Sequence, residues 1–176
     1  MAKLRGVIDL KVNVSEVHTL LYPRPVVLVS CVDSKGKRNI ITLAWSMPVS
    51  FTPPMVAISV GFQRESYRMI MESGEFVINI PSSELVKEVL LCGTISGRNF
   101  DKFREAGLTA ASAKKVRAPI ITECLAHLEC KVEKTIEAGD HMVFIGRVLE
   151  AYAEKNFAER RKDVLLYLGE EKFTTL

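Results

Sequence analysis

The sequence lacks most of the signatures that would place it at once. No C-x-x-C pair occurs among its four cysteines, Cys31, Cys92, Cys124 and Cys130, which argues against a zinc ribbon or a thioredoxin-type site. Only three histidines are present, His18, His127 and His141, and no two stand at metal-ligand spacing. H-E-x-x-H is missing, and so is a P-loop. No G-x-G-x-x-G follows a strand-like run, so a Rossmann nucleotide site has no support. "GTISG" (93–97) comes near the hydrolase elbow G-x-S-x-G, but its serine is one place off, and no histidine–carboxylate pair accompanies it. No apolar run approaches the roughly 20 residues that span a bilayer, so no membrane segment is expected.

Charge of one sign is also in short supply. The net charge of +3 is too small to argue for nucleic acid, and lysines and arginines alternate with acids, as in "EKNFAERRKD" (154–163). That run reads as a solvated face. The N-terminal "MAKLRGVIDLKVNVS" is polar and mixed, with no leader pattern, so a cytoplasmic protein is expected and the "NVS" sequon at Asn13 carries no meaning. Cys31 lies in the apolar run "VVLVSCV", where cysteine serves as a small core hydrophobe. Cys124 and Cys130 are evenly spaced on an expected strand, so they should share a face yet lie too far apart to bridge.

What is there suits one domain, residues 1–176: 48% hydrophobic and 26% charged residues allow a real core. "SEVHTLLY" reads as a short helix capped by Ser15 and stopped by Pro23 and Pro25. β-Branched runs at 26–33 and 38–45 flank the turn "SKGK" and make a hairpin. "MPVSF" is a short strand, Pro53-Pro54 interrupts, and "MVAISVG" is a buried strand. "ESYRMIMESG" is a helix with Tyr67, Ile70 and Met71 at helical spacing, ending at a glycine. "EFVINIP" is a strand, "SSELVKEVLLCG" a capped helix, and "NFDKFREAGL" a short helix with Phe100 and Phe103 turned inward. Residues 125–154 form a long hairpin bending at "EAGDH", and "DVLLYLGEEKFTTL" is a last strand and turn. Many strands joined by short turns, with few helices, predict a mainly β barrel with helical insertions.

"RNIITLAWSMPVSFTPPMVAISV" (38–60) poses the sharpest question: why Thr42, Trp45 and Ser46 sit inside the most hydrophobic segment. Taken singly, such residues belong in a strand, with hydroxyls on nearby backbone and indole in the core. Together they make a wall for a flat, partly polar ligand. Just downstream, "FQRESYR" sets Arg64 before Ser66 at the start of a helix. An arginine fork, a hydroxyl and free helix N–H groups make a phosphate clamp, although Arg64 and Arg68 equally suit a solvated helix face.

These segments, with "YPRPVVLVSCVDSKGK", "GEFVINIP", "SGRNFDKFREAGL" and "GDHMVFIGRVLEA" in that order, resemble the flavin reductase-like proteins. These are the FMN-binding split barrels, and within them the flavoredoxin group. The likeness covers about residues 21–150. It implies a mainly β fold with short helices, a six-stranded antiparallel FMN-binding split barrel, assembled as a homodimer with FMN held without a covalent link near the interface. It implies that Thr42, Leu43, Ala44, Trp45 and Ser46 line the isoalloxazine ring, with Ser59 and Tyr67 also in the cofactor set. It sets the phosphate near Arg64, Ser66 and Lys102, and His141 near the ring as the catalytic candidate facing a nicotinamide. NADPH or NADH would be the co-substrate, with a redox partner protein as a further partner. The alternative is a flavoredoxin-type electron carrier. One departure stands out: relatives often carry threonine and, three residues on, asparagine in the phosphate helix, where this chain has Ser66 and Met69. For His141, Lys102 and Cys92 the residues alone also allow plain roles: a turn histidine, a solvated lysine and a packed thiol.

Overall fold

The computed structural model describes residues 12–176. Residues 1–11, on which the expectation of a leaderless N-terminus rests, lie outside the described part, as does that piece of the expected single domain. The described chain begins with a 3-10 helix, Val14–Leu21, rather than an α-helix. Its cap is Asn13 and not Ser15: the Asn13 side chain accepts the Ser15 N–H at 3.2 Å. A serine and an asparagine two apart look alike as caps in sequence, and the structure selects the earlier one.

The strands and helices then follow in order: β1 (Arg24–Pro25), β2 (Val27–Val32), β3 (Arg38–Leu43), β4 (Ser46–Ser50), β5 (Met55–Gly61), α1 (Glu65–Ser73) and β6 (Glu75–Ile80). After a 3-10 turn at Ser83–Leu85 come α2 (Val86–Thr94), α3 (Lys102–Glu105), β7 (Ala110–Ala111) and β8 (Ile120–Ile121). The long hairpin is β9 (Ala126–Ala138) with β10 (His141–Ala153), and α4 (Phe157–Arg160), β11 (Leu166–Gly169) and β12 (Lys172–Thr174) complete the chain. Among the described residues, no helix is long and apolar enough to cross a membrane.

The main sheet is antiparallel, in the order β3-β2-β6-β9-β10-β5-β4. Its two end strands, β3 and β4, are separated in sequence only by Ala44 and Trp45. The chain therefore steps from one edge of the sheet to the other in two residues, and the Ser59 N–H of β5 donates to the Trp45 carbonyl at 3.0 Å, carrying the β4–β5 ladder up to the bend. A sheet whose edges are joined this way must curl into a barrel. Six strands are expected from the resemblance, and among the described residues the main sheet has seven, because the bend at Ala44–Trp45 divides one run into two strands with different partners.

Strand periodicity sorts the apolar residues into separate cores. Along β2, Val27, Val29 and Cys31 face the barrel interior with Ile58, Phe76 and Phe144, while Val26 and Leu28 face α2 and α3 with Val89, Cys92 and Phe103. That is why all six residues of β2 are buried. The turn after β2 is held by Asp33, whose carboxylate accepts the N–H groups of Lys35 and Lys37 at 2.9 and 2.8 Å, with Gly36 at φ 83°.

Three inward assignments change. In α1 the buried residues are Ser66, Met69 and Ile70, whereas Met71 is 46% exposed. Phe103 is buried as expected, but Phe100 is 47% exposed, because α3 starts only after its cap Asp101 and Phe100 precedes it. Cys124 sits in the turn before β9 and packs with the helix-side core, while Cys130 on β9 faces the barrel, so the two do not share a face. All four cysteines are free and buried. In the charged run 154–163, Arg160 binds Glu154, Asp163 and the distant Glu84.

Candidate functional site

The bend between β3 and β4 opens a cavity of about 310 Å³ against α2. One wall is Ile41, Thr42, Leu43, Ala44 and Trp45; Val89, Leu90, Gly93 and Thr94 of α2 form the other. The Thr42 hydroxyl donates to the Val89 carbonyl at 2.6 Å, so its proton ties β3 to α2. Gly93 of α2 faces Thr42, and a Cβ there would meet the Thr42 Cβ at 3.5 Å, an ordinary contact. Trp45, 39% exposed, stacks on His141 with centroids 4.8 Å apart and planes at 27°. On the flank, the Arg24 guanidinium lies 5.5 Å from the Trp45 ring and 4.5 Å from the Tyr22 ring. His141 Nδ1 meets Asp140 Oδ1 at 2.6 Å.

A second, polar cavity of about 180 Å³ shares Ile41, Arg64, Gly93 and Thr94 with the first, so the two lie side by side. Around it stand the start of α1 with Arg64, Glu65 and Ser66, the loop 93–97, Asn39 and Lys102. Ser66 is buried and its hydroxyl accepts the Asn39 Nδ2–H at 2.9 Å. Lys102 is only 5% exposed, and its ammonium donates to the Cys92 carbonyl at 2.6 Å. Burial pulls the Lys102 pKa below the ordinary lysine value, and the nearby Arg64 charge pulls the same way. Among the described residues neither cation is paired with a carboxylate. Glu65 also borders the cavity, but the guanidinium groups of Arg68 and Arg98 hold it at 2.7 and 3.0 Å and offset its charge. Burial pushes the thiols of Cys92 and Cys31 up to about 11 and about 12, so both are protonated at neutral pH and neither is a thiolate.

Most of the expected site residues thus come together. Thr42, Leu43, Ala44, Trp45, Arg64 and His141 line the larger cavity, and Arg64, Ser66 and Lys102 line the smaller. Ser46, Ser59 and Tyr67 line neither. Ser46 pairs with Ile58 at the start of β4, the Ser59 N–H donates to the Trp45 carbonyl at the end of the β4–β5 ladder, and Tyr67 packs on Phe62 and Phe144 in the barrel. Sequence reasoning missed Asn39, the loop 93–97 and the hairpin residues Tyr167, Glu171 and Phe173. The two glycines of "GTISG" were the available signal: Gly97 packs on the Asn39 amide so closely that any Cβ would overlap its Oδ1. Among the described residues, no group of three or more His, Cys, Asp or Glu could hold a metal ion.

An apolar, aromatic cavity beside a small cationic one suits a ligand with a flat ring at one end and an anionic group at the other. Comparison with known proteins agrees in fold and in family. A flavoredoxin from Methanosarcina acetivorans superposes with a TM-score of 0.85 at 30% identity, covering 96% of this chain and 91% of its own. The fold is that of the flavin-binding split barrels. An uncharacterized protein of Archaeoglobus fulgidus is 39% identical over 145 residues, 82% of this chain and 80% of the relative. A flavin reductase of Pseudomonas putida is 30% identical over 133 residues, 76% of this chain and 75% of the relative. The model of the flavin reductase like domain matches residues 19–176, and the chain belongs to that family.

Proposed function

We propose that this protein is a single-domain, FMN-binding oxidoreductase, an NAD(P)H-dependent flavin reductase working in the cytoplasm as a homodimer. The observation that carries this reading is the buried, unpaired ammonium of Lys102 beside Arg64, at the end of a ring-sized apolar cavity. Two cations without carboxylates make a seat for a phosphate. Desolvating Lys102 is costly unless an anion arrives to pair with it. When bound, FMN would supply hydride acceptance at N5 of its ring.

The chain's own residues would do the rest. Arg64, Ser66 and Lys102, with the first N–H groups of α1, would hold the phosphate. Ser66 keeps one contact even though Met69 stands where relatives often have asparagine. Thr42, Leu43, Ala44 and Trp45 would form the wall for the ring, with Thr42 fixing that wall to α2 through Val89. In this reading Ser46, Ser59 and Tyr67 support the wall from behind. The Trp45–His141 stack borders the open side, where a nicotinamide would lie, and Asp140 would orient His141 toward it. The four free, buried cysteines suit a reducing compartment.

A second reading, an electron carrier that keeps its FMN and passes electrons to a partner protein, is favoured by the likeness to the Methanosarcina flavoredoxin. One anaerobic experiment separates the two. The purified protein is mixed at catalytic level with excess FMN and NADPH or NADH, and the flavin band near the visible blue is followed. A reductase bleaches the bulk flavin; a carrier stays yellow and leaves the bulk oxidised. A colourless protein that binds no added FMN would overturn both readings.

A further inference from the structure

The C-terminal hairpin reaches the larger cavity with Tyr167, Glu171 and Phe173. The two rings serve as wall. Glu171 is different, because among the described residues it is the one carboxylate lining that cavity. Its neighbour Glu170 is paired with Lys172 at 2.9 Å, while Glu171 forms no ion pair among the described residues. The other titratable groups on this cavity are Arg64, His141 and Tyr167.

The backbone that carries Glu171 is out of the ordinary. Glu170 has φ 48° and Glu171 φ 59°, both left-handed, in the two-residue turn between β11 and β12. Such a turn normally takes Asn-Gly, since a side chain crowds its own backbone there. Two glutamates persist in it only if the surroundings over-determine the turn, and they do. Gly169, at φ 97°, packs against Tyr22, and a Cβ there would lie 2.8 Å from the ring. Tyr22 meets Tyr167 edge-on at 5.3 Å, and β1 pairs Arg24 with Tyr167. The turn is thus held to the rim of the cavity through β11.

We propose that Glu171 is a specificity-determining residue whose carboxylate accepts a hydrogen bond from an amide-type N–H of a ring bound in the larger cavity. The proposal rests on the flavin reading above. A carboxylate only accepts, repels an anionic ring edge and favours an N–H edge. That chemistry has two sources in this setting: the imide N–H of the flavin and the carboxamide N–H of the nicotinamide.

The test uses the full chain, Glu171→Gln and, as a control for the turn, Glu170→Gln. FMN affinity is read by quenching of flavin fluorescence, and KM for NADH and NADPH by turnover. If the imide is the source, Glu171→Gln weakens FMN about tenfold, as loss of one charged hydrogen bond should. If the carboxamide is the source, FMN affinity holds and the nicotinamide KM rises about tenfold. Glu170→Gln stays within about twofold of wild type in both. The proposal is overturned if Glu171→Gln matches the control in both readouts, or in FMN affinity alone where the protein shows no turnover. If wild-type protein fails to quench FMN, the flavin reading falls and takes this one with it; if wild type binds and Glu171→Gln is silent, only the role of Glu171 falls.

Discussion

At the scale of single residues, Lys102 poses the clearest energetic problem. A buried ammonium with one carbonyl partner costs the fold stability, and its pKa is lowered by burial first and by Arg64 next. Lys102→Met should therefore leave stability unchanged or raise it, while weakening FMN by roughly 10- to 100-fold and riboflavin hardly at all. Paired fluorescence titrations and thermal melts would check this. Glu129 is the opposite case. It is fully buried, and burial alone would raise its pKa. The N–H groups of Lys114 and Lys115 at 2.8 and 2.6 Å and the Tyr152 hydroxyl at 3.0 Å outweigh burial and hold it below the ordinary glutamate value. A lowered carboxylate pKa gives stability that is full above the unfolded-state value and is lost as pH falls through the native one. Glu129→Gln should cost about 2 kcal/mol at neutral pH and flatten the acid limb of the stability curve, as urea melts across pH would report.

Thr42, Trp45, Arg64 and Ser66 were legible from the chemistry of their side chains, whereas Leu43, Ala44 and Lys102 entered only through the family resemblance. Asn39 and the loop 93–97 were not legible. Their part depends on Gly97 closing over Asn39, a contact between segments far apart in the chain. Spacing along one segment holds no record of such a contact. Glu171 was hidden for the same reason: nothing in "LGEEK" tells that Tyr22 will clamp the turn.

Among the elements, periodicity did well where a segment has one neighbour and poorly at ends. The long β9–β10 hairpin, the β2–β3 hairpin and α1 follow from alternation, Asp33, and Gly74 at φ 67°. The inward residue of α1 was misjudged by two positions because the helix is packed on one side only, and Phe100 was misjudged because a cap at Asp101 starts α3 later than the apolar pattern does. A seventh strand appears because pairing partners change at Ala44–Trp45, which a pattern of single residues cannot show. Inside the barrel, Gly146 lies at a register shift where β10 crosses Phe76, and a Cβ there would come within 2.6 Å of the ring. Gly146→Ala should destabilise the protein by roughly 1–3 kcal/mol through overpacking, visible as a lower denaturation midpoint with an unchanged slope.

Across the whole molecule, an apolar surface is left uncovered on the single chain. Met47, Val49 and Phe51 on and after β4 are 61, 39 and 99% exposed, and Leu20 and Leu21 of the 3-10 helix are 65 and 67% exposed. Patches of this kind mark association surfaces. In the proposed homodimer Phe51 would lie against the second copy. Phe51→Asp should then shift the mass in light scattering from dimer to monomer, whereas a wild-type monomer would remove the dimer from the proposal.

The two neighbouring cavities would hold a flat ring at one end and a phosphate at the other. Titrating FMN and riboflavin separately into the purified protein, with flavin fluorescence as the readout, tests it most directly. The account predicts saturable quenching by one FMN per chain and riboflavin binding at least about tenfold weaker, the share of a charged phosphate contact. Equal affinity for the two would contradict the phosphate seat at Arg64, Ser66 and Lys102, and no quenching by either would contradict the flavin site as a whole.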